Sequence, residues 1–257
     1  MSHERIALQL YTLRDEVAAD MVGVLQHVAG IGYRGVEFAG FGGVPAREVR
    51  LVLDSEGLSA VACHVSAAAM REDFEQAAAG VLEVGAPYIV CPWIEPGLVH
   101  DAAGWSAFTR ELEQWARACA ERGLKFAYHN HVFEFEAQHG GQYAFDTLFQ
   151  DAPGVLVELD AAWAHAGGVS PVGYLRRYAQ RTPLLHVKDV ALRDGKWVTE
   201  ELGEGEVDLT GMLAAARETG VEWFIAEQDH CQRDPLESVT ANYAWLHRSM
   251  RQPEPTP

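Results

Sequence analysis

The unit that decides the fold lies in residues 155–188, which begin with Val-Leu-Val-Glu-Leu-Asp at 155–160 and end with Leu-Leu-His-Val-Lys at 184–188. Between these apolar runs is a stretch of helical pattern near 171–180. Two short apolar runs separated by a helix are typical of parallel strands joined by a crossover connection. We therefore predict a β-α-β unit here, with polar residues where each strand ends.

The same alternation runs along the whole chain. Strands are predicted at 6–11, 35–38, 58–64, 87–92, 124–131, 155–160, 184–188 and 222–227. Helices are predicted near 16–29, 45–56, 70–84, 104–122, 143–151, 171–180, 208–219 and 236–250. Eight such units in about 250 residues favour a single (β/α)8 barrel. An open doubly wound sheet is the alternative, but it usually has a glycine-rich turn after its first strand, where this chain has Tyr-Thr-Leu-Arg.

Two segments fall outside this repeat. Residues 189–208 are long for a strand-to-helix connection and contain Gly-Glu-Gly-Glu at 203–206, so we predict a lid or a substrate loop. The proline-rich residues 252–257 are predicted to form a disordered tail after a barrel domain of residues 1–251.

The composition disfavours several classes of partner. The net charge is −17, from 37 acidic and 20 basic residues, and such a surface repels nucleic-acid phosphates. The chain has no apolar run of about 18 residues, so no membrane span is expected. The four cysteines form no C-x-x-C pair and the N-terminus does not resemble a signal peptide, which together favour a cytoplasmic protein.

Polar residues gather where the predicted strands end. They are Gln9, Glu37, His64, His129, His131, Asp160, His186, Lys188 and Glu227. In a barrel all eight strands end at one face, so these side chains are expected to converge on one mouth. Burying so many polar groups together is costly unless they meet a metal, a substrate or one another.

Three of these residues suggest a metal site. Asp160, His186 and Glu227 follow strands six, seven and eight, and this oxygen and nitrogen set suits Mn²⁺, Mg²⁺, Co²⁺, Fe²⁺ or Zn²⁺. A fourth ligand is expected from strand five or just beyond it, where the candidates are His129, His131 and Glu134. The alternative for each residue alone is a helix cap or a local hydrogen bond.

The chain resembles the sugar phosphate isomerase/epimerase family, which has the xylose isomerase-like barrel. The resemblance covers about residues 6–247 and rests on residues 8–14, 35–38, 128–135, 159–160, 186–189, 203–205 and 227–230. Family members hold a metal with Glu, Asp, His and Glu from strands five to eight. The last three correspond to Asp160, His186 and Glu227, whereas His129 stands where epimerases have the first Glu. We favour Glu134 as the fourth ligand, because it restores that carboxylate.

The resemblance implies an isomerase or epimerase that depends on one divalent metal, with Mn²⁺ expected, and acts on a small keto-sugar or polyol. The metal would act as a Lewis acid while a base removes the proton beside a carbonyl. Glu227, His129 and Lys188 are the candidate proton carriers, and Lys188 is expected to have a depressed pKa. The candidate substrate-binding residues are Gln9, Glu37, His64, His131 and Trp163, with Trp93 as a further apolar wall.

Other functions stay open at this point. The main alternative is a dehydratase or lyase acting on an inosose or a 3-keto sugar with the same metal. An endonuclease-IV-like nuclease needs several metals and a basic face, which the charge disfavours. The remaining alternative is an inactive barrel that only binds. The acidic residues 203–206 and the absence of a P-loop favour an unphosphorylated substrate, and a homodimer is a further open alternative.

Overall fold

Eight parallel strands close into a barrel in the computed structural model, which describes residues 5–136 and 138–251. The strands are β1 (Ile6–Gln9), β2 (Gly35–Phe38), β3 (Ser59–His64), β4 (Tyr88–Cys91), β5 (Lys125–His129), β6 (Leu156–Asp160), β7 (Leu184–Val187) and β8 (Trp223–Ala226). Their order around the barrel follows the chain, and β8 pairs with β1. The predicted (β/α)8 barrel is therefore confirmed, and the predicted tail at 252–257 lies outside the described residues.

Helices connect the strands around the outside of the barrel. Their bounds are Arg14–Ile31, Ala46–Glu56, Ala67–Val84, Ala102–Glu121, Phe133–Glu136, Ala144–Asp151, Ala161–Ala166, Pro171–Arg177, Leu209–Thr219 and Pro235–Arg251. The sequence patterns miss two short ones, Phe133–Glu136 and Ala161–Ala166, because a single turn of helix has no measurable period. Among the described residues, no helix has both the length and the apolar character needed to cross a membrane.

Side-chain alternation along each strand explains why the mouth is polar. A cluster that includes Ala7, Ala127, Leu184 and Ile225 fills the barrel with apolar side chains. Successive side chains of a strand point to opposite faces, so the residue two positions later again points inward. Two positions after these four residues come Gln9, His129, His186 and Glu227. The apolar cluster therefore forms a floor, and the polar side chains lie above it at the carboxyl ends of the strands.

Two predicted strands end two residues earlier than expected. Strand β1 ends at Gln9 and gives way to the 3-10 helix Leu10–Leu13, because the Gln9 side chain accepts a hydrogen bond from the Tyr11 N–H. Strand β5 ends at His129 rather than at His131. Tyr11 and His131 consequently leave the strand direction and lie at the wall of the cavity above the barrel.

The long segment after β7 forms a β-hairpin of strands Asp189–Arg193 and Lys196–Glu200. Its base is held by Asp189, whose buried carboxylate accepts hydrogen bonds from the N–H groups of Gly203, Gly205 and Val207 at 2.9–3.1 Å. A Cβ at Gly205 would lie 2.2 Å from Asp189 Oδ1, so glycine is required for this close approach. The Gly-Glu-Gly run thus anchors the hairpin.

Candidate metal centre

Four side chains meet above the apolar floor. His129, Asp160, His186 and Glu227 each offer one ligand atom, and these atoms lie within 4.8 Å of one another. They come from the ends of four successive strands, β5 to β8, and all four residues are buried. Asp160 pairs with His186, whereas His129 pairs with Glu158, two residues before Asp160, and Glu227 lies two residues beyond Ile225, the partner of His186. The arrangement brings together the three residues predicted from strands six to eight.

Glu134 has different partners from those expected of a ligand. Its carboxylate is buried, accepts a hydrogen bond from the Tyr128 hydroxyl at 2.6 Å, and accepts another from the His131 N–H at 2.9 Å. Burial raises the pKa of this carboxyl to about 7. Among the described residues, the four-residue group includes His129 and not Glu134. Glu134 instead supports the turn that carries His131.

Glu158 is a residue of this site that the sequence patterns missed. It lies two positions before Asp160 on β6, so it has the same inward face, and its Oε2 lies 2.8 Å from His64 Nε2. The same oxygen lies 3.2 Å from His129 Nδ1 and 3.3 Å from His186 Nε2. A charged residue inside an otherwise apolar strand was the available signal, since a fully buried carboxylate is rare without partners. His64, His129, Glu158 and His186 form a second group able to hold a metal, overlapping the first.

Gln9 and Glu37 lie beneath this cluster. The Gln9 amide donates to Glu37 Oε2 at 2.9 Å, and the same oxygen lies 2.7 Å from His186 Nε2. Both side chains are fully buried, whereas His64 and His131 line the cavity. The structure therefore places Gln9 and Glu37 where they orient His186, and places His64 and His131 where a bound molecule can reach them.

Lys188 is surrounded by three carboxylates. Its Nζ lies 2.9 Å from Asp160 Oδ2, 2.7 Å from Glu227 Oε2 and 2.8 Å from Asp229 Oδ2. Burial opposes the charged form, but these three carboxylates outweigh it and raise the pKa of Lys188 well above its ordinary value. The protein groups alone therefore hold Lys188 as a cation, and the depressed pKa expected of a lysine beside a bound metal stays a prediction.

The histidines differ in charge because their neighbours differ. Burial and the neighbouring His186 and His64 lower the pKa of His129 well below its ordinary value. For His186 burial acts the same way, yet Glu158, Glu227 and Glu37 raise its pKa well above the ordinary value. His129 is consequently neutral, which is the form of imidazole that binds a metal.

The donor set fits a hard divalent cation. Five carboxylates lie in or beside the cluster, namely Glu37, Glu158, Asp160, Glu227 and Asp229, together with the one ammonium of Lys188. Glu37 Oε1 and Glu158 Oε1 are buried without a hydrogen-bond partner among the described residues. Lys188 and the raised pKa values of His64 and His186 offset part of this negative charge, and a bound divalent cation would offset more of it. Carboxylate oxygens with imidazole nitrogens suit ions such as Mn²⁺, Fe²⁺ or Zn²⁺.

A cavity of about 720 Å³ opens above this cluster. Its polar lining includes His64, His129, His131, Glu227 and Asp229, and Trp93 lies at its edge. Trp163 lies behind this lining, where its ring is 5.4 Å from Lys188 Nζ and stacks on His131. The backbone N–H of Trp163 donates to Asp160 Oδ1, so the start of helix Ala161–Ala166 holds the orientation of that carboxylate.

A closed (β/α)8 barrel with converging acid and imidazole side chains beneath a cavity at its carboxyl face is the arrangement of a barrel enzyme. The comparison with known families agrees with this class. The chain belongs to the xylose isomerase-like TIM barrel family, whose family model matches residues 25–249.

Two curated relatives share part of the sequence. Rhizopine catabolism protein MocC of Rhizobium meliloti is 29% identical over 150 residues, which are 51% of this chain and 46% of the relative. Inosose dehydratase of Geobacillus kaustophilus is 35% identical over 91 residues, which are 34% of this chain and 28% of that enzyme. The matched part thus spans less than half the length of either relative.

A solved structure extends the likeness of fold over nearly the whole chain. A sugar phosphate isomerase/epimerase from Parabacteroides distasonis superposes with a TM-score of 0.79 and covers 96% of this chain and 94% of its own. At 22% identity this likeness establishes the shared architecture.

Proposed function

We propose that this protein is an isomerase or epimerase of small keto-sugars or polyols that works with one divalent metal, Mn²⁺ being the expected ion. The proposal rests mainly on one observation, the meeting of His129, Asp160, His186 and Glu227 within 4.8 Å beneath the cavity. We assign these four as the ligands, with His129 replacing the Glu134 that the resemblance favoured. A cation held there would supply a Lewis acid that polarises a substrate carbonyl.

Glu227 is the residue best placed to take the proton. It lines the cavity, and its Oε2 contacts both Lys188 Nζ and His186 Nδ1, at 2.7 and 2.8 Å. Burial opposes its charged form, but Lys188 and His186 lower the pKa of Glu227 well below its ordinary value and keep it ionised. Lys188 therefore acts as a positioning residue that orients the base and keeps it charged.

His131 is the candidate for handling a proton on the substrate's other side. It lines the cavity, is stacked between Trp163 and Phe133, and has a pKa well below its ordinary value because it is buried. A neutral imidazole can donate to one group and accept from another, as general acid–base chemistry requires. Return of the proton to the opposite face of the same carbon would give an epimer, and return to the next carbon an isomer.

Dehydration is the second candidate reaction. The match to an inosose dehydratase favours it, and the same groups serve both reactions up to the removal of the first proton. If a neighbouring hydroxyl then leaves with the proton that Glu227 took up, the products are an unsaturated ketone and water, and Glu227 returns to its carboxylate form.

Hydrogen exchange with solvent tests both candidates. The protein is incubated with Mn²⁺ in deuterated water with a panel of ketoses, inososes and 3-keto sugars, and deuterium incorporation is followed by NMR. We expect incorporation for at least one compound, with mass spectrometry separating an isomeric product from one that has lost water.

One substitution just after strand β8 tests the proposed base, and one just before the strand is its control. Glu227→Gln should lower the exchange rate by at least about 100-fold, the effect typical of removing a general base. Glu222→Gln changes a carboxylate just before β8, near Tyr88 and Lys125 at the far end of the barrel, and should keep the rate within about threefold. Equal rates in wild type and Glu227→Gln would refute the assignment of the base.

A further inference from the structure

The cavity above the cluster has two chemically different halves. The half described above is lined by histidines and carboxylates. The other half is lined by apolar groups, chiefly Phe38, Phe41, Val65, Ala77, Gly80 and Trp93. The C–H face of a free sugar can lie against one aromatic ring such as Trp93, but its hydroxyls leave most of this apolar lining unmatched.

Small residues on one helix create the apolar half. Ala77 and Gly80 lie one turn apart on helix Ala67–Val84, which is kinked at Asp73, and both line the cavity. A Cβ built on Gly80 would meet Phe41 Cε2 at 3.6 Å, an ordinary van der Waals distance, so Phe41 packs against Gly80 in one wall and a large side chain at position 80 would extend into the cavity. Glycine is unfavourable inside a helix, so a larger residue at position 80 would stabilise the helix but would fill part of the cavity.

Aromatic rings form the part of the cavity wall next to helix Ala67–Val84. Phe41 contacts Phe38 edge to face, with ring centroids 5.3 Å apart, and Phe38 is fully buried behind it. At the rim the side chains of Trp93 and Tyr11 are 42% and 41% exposed. Large aromatic surfaces exposed around a cavity are typical of a site that a ligand covers.

The volume of the cavity also favours a ligand larger than a free sugar. At about 720 Å³ it lies in the upper part of the range of roughly 300–1,000 Å³ that encloses ligands of drug-like size. A single six-carbon polyol seated against His131 and Glu227 would leave the wall formed by Phe41 and Gly80 without an apolar occupant.

We propose that the substrate carries an aromatic, ring-sized substituent, which lies against the cavity wall formed by Phe41, Trp93 and the helix at Gly80 while its keto-sugar or polyol part faces the cluster. The assignment of the polar part rests on the proposed function. The assignment of the substituent rests on the apolar half alone, so the two can fail separately.

A matched pair of unreactive ligands tests the substituent. Binding of myo-inositol and of a mono-O-benzyl-myo-inositol to the full chain with Mn²⁺ is measured by isothermal titration calorimetry. We expect the benzyl compound to bind about 10- to 100-fold more tightly, the gain expected for burying one aromatic side chain.

Three variants of the same helix locate the effect. Gly80→Leu and Ala77→Leu should remove most of the preference for the benzyl compound, because both side chains would fill the apolar half. Ala79→Leu adds the same side chain at an exposed position between them and should leave the preference unchanged.

Each outcome bears on one claim. Equal affinity for the two ligands, no binding of the benzyl compound, or a preference that persists in both Gly80→Leu and Ala77→Leu would overturn the inference. Failure of every ketose to exchange deuterium while the benzyl preference is intact would overturn the proposed function and leave the inference standing.

Discussion

His129 and Glu134 lie five residues apart, and at the residue scale their different partners decide the chemistry of the site. His129 points into the barrel from β5 beside Asp160 and His186, and its low pKa keeps the imidazole neutral. Glu134 lies on the turn beyond, where the Tyr128 hydroxyl and the His131 N–H already occupy its two oxygens. The first residue is suited to bind a metal, and the second to support the turn.

Substitution of His129 should therefore weaken Mn²⁺ binding more strongly than substitution of Glu134. We expect His129→Gln to weaken Mn²⁺ by more than the roughly 10- to 100-fold that loss of an outer partner typically costs, and Glu134→Gln to stay at or below that range. Calorimetric titration of both variants with Mn²⁺ measures this. A larger loss in Glu134→Gln would return Glu134 to the ligand set.

The buried carboxyl of Glu134 should also make stability depend on pH. Its pKa in the folded protein is about 7 against an ordinary value of 4.5, so its contribution is fully present below pH 4.5 and is lost as the pH rises through 7. Relative to Glu134→Gln, the wild type should lose up to about 3 kcal/mol of unfolding free energy between pH 4.5 and pH 8.

Urea unfolding of both proteins at several pH values checks the difference. The matched control is Glu136→Gln, which changes an exposed carboxylate on the same short helix and should show no such divergence from wild type. A constant difference between wild type and Glu134→Gln across this range would contradict the assignment.

At the scale of elements, the hairpin Asp189–Arg193 and Lys196–Glu200 depends on one side chain. Asp189 follows Lys188 directly and binds three N–H groups of residues 203–207, so the residue that anchors the hairpin is adjacent to the cation of the site. Hydrogen bonds to an ionised acceptor are stronger than neutral ones, and unpaired buried N–H groups are costly. The hairpin base and the end of β7 are therefore one structural unit.

Removing this anchor should loosen the hairpin base. Asp189→Ala is expected to lower the unfolding free energy by at least about 2 kcal/mol, because three N–H groups, of which that of Val207 is buried, lose their carboxylate acceptor. Hydrogen exchange should accelerate at residues 203–207. Asp194→Asn, at the exposed hairpin turn, is the control and should change neither quantity appreciably. Unchanged exchange in Asp189→Ala would show that the base is held by other contacts.

At the scale of the whole molecule, the barrel concentrates negative charge at one end. The apolar floor closes the interior, and five carboxylates of the mouth lie above it with one lysine. Any cation that binds there stabilises the folded state by mass action, because the unfolded chain does not assemble the ligands.

Metal should accordingly raise the stability of the entire barrel. We expect Mn²⁺ at about 100 times its Kd to add about 2.7 kcal/mol to the unfolding free energy, and a chelator to reverse the gain. Thermal unfolding with and without Mn²⁺ measures the shift. Glu227→Gln should show a much smaller gain, and an equal gain in that variant would place the binding site elsewhere.

Much of this architecture could be read from the sequence because its signals are local. Eight apolar runs alternating with helical stretches define the barrel, and parallel strands all end at one face, so Asp160, His186 and Glu227 had to share a mouth. The sequence patterns did not predict short elements such as helix Ala161–Ala166. They also did not identify residues whose partners are distant in the chain, such as Glu158, which contacts His64.

The sequence by itself determined the barrel, its polar end and three members of the central group, since side-chain alternation along a strand is a local property. Only the tertiary structure decided that His129 rather than Glu134 lies close to them, that three carboxylates surround Lys188, and that Phe41 packs against Gly80 in the cavity wall. These features depend on the register between strands and on the positions of loops and helices. Packing and charge interactions between residues distant in the chain determine both.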